Sequence, residues 1–168
     1  ANMTNEFHIG PITGRDAKLY QFSEGLVANP MEYMESSMIS LCTIGDYLCD
    51  PENYDPVTSH RNVLGRILGE RYINAGEEFH KLCYKSCLTK HGEQFLAEDP
   101  EKTYHEEFSQ LIRKLDFAGM KSFAYRTIDN LNLLSQSDNR QFLDESKRWR
   151  DCAMRFCQTL LKSIALIN

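Results

Sequence analysis

Apolar residues return at four- and three-residue steps along most of this chain, and that period limits what it can fold into. Near the C-terminus the step carries Trp149, Ala153, Phe156, Leu160 and Ile164, and nearer the N-terminus Met34, Met38, Leu41, Gly45 and Leu48. A third stripe is Phe108, Leu111, Ile112 and Leu115, and a shorter one is Leu19, Phe22 and Leu26. A helix puts such residues on one face, whereas a half-buried strand needs alternation, and no convincing alternating run occurs. The expectation is an all-α fold, a compact bundle of about six to eight helices in one domain over residues 1–168.

Local signals divide the chain. Asn29-Pro30 followed by Glu32 reads as an N-cap, a first-turn proline and a capping acid. Asp50-Pro51 stops that helix, and residues 50–58 are expected to be a loop. A second helical pattern runs from about Ser59 to Lys90 and ends at His91-Gly92, and Asp99-Pro100 opens a third. The apolar segment from Met120 to Leu134 suits a central helix, and residues 1–28 an N-terminal extension with a short helix.

The net charge of -5 and the lack of a basic run disfavour nucleic acid as a partner. No stretch approaches the roughly 20 apolar residues of a membrane span. Membrane association would therefore need a C-terminal anchor outside this chain. Six cysteines (Cys42, Cys49, Cys83, Cys87, Cys152 and Cys157) lie in or beside helical apolar stripes, where a thiol packs as a small hydrophobe. Buried, reduced thiols and a cytoplasmic location are expected, with organelle membranes an alternative for a longer protein.

Nucleotide loops, metalloprotease helices and nucleophile elbows are all missing, so the residues point to a chain that is not an enzyme and takes no cofactor. His80, Cys83, Cys87 and His91 share one helix edge. A single straight helix cannot wrap four ligands around one ion, so no metal is assigned to them.

The stretch YINAGEEF, residues 72–79, poses a separate question. Glycine in a helix costs roughly 1 kcal/mol relative to alanine, yet Gly76 follows Ala75 directly and two acids come next. On one helix Leu68, Tyr72, Ala75 and Phe79 form a stripe with Gly76 at its margin and Glu77 and Glu78 beyond. A small residue there admits a second helix at close range, either in the core or in a recognition groove.

This pattern resembles the third homology motif of the Bcl-2 (B-cell lymphoma) family of apoptosis regulators. LCTIGDYL, residues 41–48, matches the same motif. The frame FSQLIRKLDFAGMKSFAYRTI, with its corner at Gly119, is similar to the family's first motif, and the interval from Gly76 suits the family better than that from Gly45. Met120 stands where the family has an arginine, with Lys121 one position on. The resemblance implies a Bcl-2-like bundle with a central apolar helix and a peptide-binding groove for an amphipathic partner helix. It places Leu68, Tyr72, Ala75, Gly76, Glu77 and Phe79 on the motif helix. Groove positions would be Phe79, Cys83, Cys87, Gln110, Leu111, Phe117, Gly119, Met120 and Lys121. Function would then be protein–protein interaction in apoptosis, with self-association left open. Two alternatives stand beside it: a helical adaptor or signalling-inhibitor domain that does not use the groove, and a disulfide-bonded secreted helical factor.

Overall fold

A computed structural model of the protein describes residues 7–83 and 103–167. Among them are six α-helices and no strand: α1 (Met34–Cys49), α2 (Pro56–Leu68), α3 (Ile73–Cys83), α4 (Thr103–Arg113), α5 (Phe117–Leu134) and α6 (Arg140–Ile167). The all-α bundle read from the periodicity is what forms. Single 3-10 turns lie at Leu19–Gln21 and Glu70–Tyr72. Among the described residues no helix is long and apolar enough to cross a membrane.

Short polar side chains set several boundaries. Asp55 caps α2, its carboxylate accepting from the Thr58 N–H at 2.7 Å, and Pro56 fills the first turn where no N–H is needed. Asp116 caps α5 through the Gly119 N–H at 2.9 Å, and Asn139 caps α6 through the Phe142 N–H at 3.0 Å. The helix expected from Ser59 to Lys90 is broken at Gly69, whose φ of 100° suits glycine far better than any other residue. Leu68 and Tyr72 therefore lie on different elements, Leu68 at the end of α2 and Tyr72 in the 3-10 turn. The part of that span beyond Cys83 lies outside the described residues.

The start of α1 differs from expectation for an instructive reason. The helix begins at Met34, Tyr33 is its N-cap, and Tyr33 supplies no side-chain bond. The cap comes instead from α6: Glu145 accepts from Glu35 N (3.1 Å), Ser36 N (2.8 Å) and Ser36 Oγ (2.7 Å). A carboxylate on orphan N–H groups at the positive end of a helix answers both their hydrogen bonding and the helix dipole. The tertiary cap makes the local Asn29-Pro30-Glu32 signal redundant. Burial opposes ionisation of Glu145, but the hydrogen bonds from Ser36, Gln141 and the Glu35 and Ser36 backbone outweigh it and hold its pKa below the usual glutamate range.

A depressed carboxylate stabilises the fold above its unfolded pKa of about 4.3, and that contribution fades as pH falls through the lower folded value. Glu145→Gln should thus cost about 2 kcal/mol at pH 7, from lost charge-assisted bonds at the helix end. Urea unfolding of both proteins should show the gap shrinking steadily below pH 4, and a gap independent of pH would contradict the capping role.

The core joins Ile39 of α1, Val63, Leu64 and Leu68 of α2, Ala75 and Phe79 of α3, Leu131 and Leu134 of α5, and Phe142 and Leu143 of α6. α5 buries one face, including Met120, Phe123, Ala124 and Leu131, against neighbours that include α3 and α6, while Tyr125 points outward. Phe7 and Ile9, from the N-terminal stretch, belong to the same core.

Candidate functional site

The N-terminal stretch is a strap fastened by side chains of α1, α2 and the loop between them. Ser40 Oγ donates to the Gly10 carbonyl at 2.8 Å, and the Ile12 N–H donates to Thr43 Oγ1 at 3.1 Å. Tyr47 and Tyr54 donate their hydroxyls to the carbonyls of Asp16 (2.8 Å) and Ile12 (2.9 Å). His60 Nε2 lies 2.9 Å from the Ile9 carbonyl oxygen, which can only accept, so that nitrogen carries the proton. The buried His60 and His80 rings meet edge-on at 4.9 Å. Gly10 lies so close to His80 that a Cβ there would collide with the imidazole. Here glycine is required by a close approach, and no backbone strain is involved.

At the tip of the strap Phe7 stacks on Trp149 with centroids 4.5 Å apart, and Tyr33, Phe79 and Phe142 surround it at 5.9–6.4 Å. Nothing in the polar N-terminal sequence singled out Phe7. The available signal was alternation over Phe7, His8, Ile9 and Gly10, too short to weigh against the helical stripes.

Ala75, Gly76 and Phe79 are buried on α3. A Cβ on Gly76 would sit 2.9 Å from Leu68 Cδ1 and 3.2 Å from Leu64 Cδ2, so glycine lets α2 and α3 close on each other. The neighbouring acids are paired within the chain: Glu77 with Arg61 of α2, and Glu78 with Lys81 at 2.9 Å and Arg126 of α5 at 4.0 Å. Arg126 also holds Glu107 at 2.8 Å.

The positions assigned to a groove are spread over several settings. Phe79 and Met120 are buried, whereas Gln110 is exposed. Leu111, Phe117, Gly119 and Lys121 are half-buried. The α4–α5 corner brings Leu111 onto Gly119: a Cβ there would meet Leu111 Cδ2 and Asp116 Oδ2, each at 2.5 Å. Leu115, with φ 52°, makes the turn. Burial raises the pKa of the Cys83 thiol well above its usual value, and Cys87 and His91 lie outside the described residues. The five described cysteines are free thiols, but Cys49 and Cys152 are exposed, contrary to the expectation that all would be buried.

The surface formed by the described residues includes two concavities. One is a shallow depression of about 600 Å³ along α6, between Arg148, Cys152, Arg155 and Phe156. The other, about 170 Å³, lies between the strap (Leu19 to Leu26) and Tyr47, Leu48 and Pro51. Several carboxylates are committed to architecture. Asp46 accepts from Ser59 Oγ at 2.6 Å, Glu35 from Asn139 Nδ2 at 2.7 Å, and Asp151 pairs with Lys147 at 2.5 Å, while Asp55, Asp116 and Glu145 are caps.

Residues 2–81 match the family model of beta-N-acetylglucosaminidase, a span that includes α1, α2 and most of α3. Among solved structures, the chain is similar to a mutant of the O-GlcNAc hydrolase of Thermobaculum terrenum, with 27% identity and a TM-score of 0.75. The likeness is to a glycoside hydrolase. It covers 95% of this chain and 34% of that one, so the chain spans about a third of the length of the relative it matches.

These findings overturn the Bcl-2 resemblance and what it implied: an apoptosis regulator, a homology-motif helix and a peptide groove. They also replace the adaptor and secreted-factor alternatives and the expectation that the chain is not an enzyme. The physical reason is plain at Gly76. A small-glycine-acid pattern marks any helix pair packed closely with ion-paired flanks, and α2 against α3 is such a pair.

Proposed function

We propose that this chain is the helical part of a glycoside hydrolase that cleaves β-linked N-acetylglucosamine. The likeness to the Thermobaculum terrenum O-GlcNAc hydrolase, at 27% identity over 95% of this chain, carries the reading. The family match over residues 2–81 supports it from sequence. Glycoside hydrolysis ordinarily uses two carboxyl groups, about 5–10 Å apart, one delivering a proton to the leaving oxygen. Asp55, Asp116 and Glu145 serve as caps and Glu77, Glu78 and Asp151 as ion-pair partners, so in this reading these six are architectural and not the reacting pair. The chain's contribution is a preorganised support whose strap is fastened by hydrogen bonds from α1, α2 and the loop between them.

The test is direct. The natural polypeptide carrying this chain, expressed from its complete reading frame, should release 4-methylumbelliferone from the β-N-acetylglucosaminide. An antibody raised against the 168-residue chain should deplete that activity from the preparation. A well-folded protein with no release above a heat-inactivated control would overturn the reading.

A further inference from the structure

α1 is turned inside out relative to its sequence pattern. The side facing the core carries Ser36, Ser37 and Thr43 along with Ile39 and Tyr47. The stripe Met34, Met38, Leu41, Gly45 and Leu48, whose periodicity marks it as a core face, looks largely outward. Met34 is 68% exposed, Leu48 52% and Met38 39%. Leu41 is half-buried, and a Cβ on Gly45 would meet nothing within 4 Å.

The outward face also lacks free charge. Glu35 and Asp46 are the acids of α1, which has no basic residue; Glu35 is held by Asn139, and Asp46 by Ser59 and Arg66. A solvated helix face normally carries charged side chains, and an exposed apolar face without them marks a surface that another body covers. The apolar surface continues onto the strap. The 170 Å³ concavity joins Leu19, Tyr20 and Leu26 to Leu48, and Phe22 and Val27 beyond are 84% and 98% exposed.

We infer that the outer face of α1, with the strap from Tyr20 to Val27, is an interface that seats the body of a hydrolase. That body corresponds to the part of the Thermobaculum terrenum relative outside the third that this chain covers. The inference rests on the function proposed above. Two observations select this occupant. The uncovered face lies within residues 2–81, the portion that the beta-N-acetylglucosaminidase family model matches, while α4, α5 and α6 lie beyond it. The relative is about three times as long as its region of likeness, which leaves ample structure to present a complementary apolar surface. Gly45, with open space above it, admits close approach of the partner backbone, and the flexible Met34 and Met38 adapt to its relief.

Limited oxidation by dilute peroxide, read as methionine sulfoxide by mass spectrometry, tests the contact, because the reaction follows exposure. It is run on the 168-residue chain and on the natural full-reading-frame polypeptide, with N-acetylglucosaminidase activity measured on the same samples. Met34 and Met38 should oxidise at least about five-fold more slowly in the longer protein, with activity present. Equal oxidation in an active enzyme overturns the docking surface and leaves the hydrolase reading standing. Protection without activity overturns the occupant together with that reading. Protection already present in the 168-residue chain overturns the inference too, whether dilution relieves it, which would mean a second copy, or not. A natural polypeptide no longer than this chain overturns it as well.

Discussion

Phe7→Ala lowers the stability of the chain by about 4 kcal/mol, the cost expected for truncating a fully buried phenylalanine. Its ring is 1% exposed and touches four aromatic side chains from three places in the sequence: Tyr33 ahead of α1, Phe79 of α3, and Phe142 and Trp149 of α6. None of these is a neighbour of Phe7 along the chain, so the surroundings cannot collapse into the void without moving two helices. Truncation therefore costs both the transfer of the ring and the residual cavity. Urea unfolding should report a lower midpoint with little change in slope, since the surface exposed on unfolding stays similar. Phe7→Leu should recover more than half of the loss by refilling most of the volume. A midpoint unmoved by Phe7→Ala would mean that the strap is not seated on the bundle in solution.

The contrast between strap and helices explains what could be read from the sequence. Helical class and the stop at Asp50 were legible, because a helix is specified by residues within a turn of one another; α2, however, starts at Pro56 with Asp55 as its cap, inside the loop expected over residues 50–58 and ahead of the expected start at Ser59. Which face of α1 is buried was not legible. Periodicity locates an apolar stripe but not its partner, and here the stripe of Met34, Met38 and Leu48 faces out while serines pack inward. The Glu145 cap was invisible for a related reason: donors and acceptor lie 109 and 110 residues apart. Gly69 was a legible break passed over, since the apolar pattern on either side of it keeps helical phase. At the candidate site, Ala75-Gly76 was recognised as a close-packing device, but a motif of that size cannot say against what. The likeness to a hydrolase is spread over 95% of the chain at 27% identity, and a search for short catalytic signatures does not detect a likeness of that kind.

Gly76→Leu destabilises the chain by about 3 kcal/mol, at the upper end of the usual range for overpacking. Even a Cβ at this position would stand 2.9 Å from Leu68 Cδ1 and 3.2 Å from Leu64 Cδ2. Leu64 and Leu68 are 0% and 3% exposed, so neither side chain can swing into solvent to make room. Three further carbons force α2 and α3 apart, and the Arg61–Glu77 pair that bridges them loses its geometry. Breaking that half-exposed pair adds at most about 1 kcal/mol, so steric overlap sets the size of the effect. In calorimetry the loss should appear as a melting temperature lower by about 6–12 °C for a domain of this size. Gly45→Ala is the matched control on α1: its added Cβ meets nothing within 4 Å, and gained helix propensity should raise the stability of the isolated chain by up to about 1 kcal/mol. Opposite signs at the two glycines would locate the α2–α3 crossing at Gly76. A tolerated leucine there would mean that the crossing is looser than these distances require.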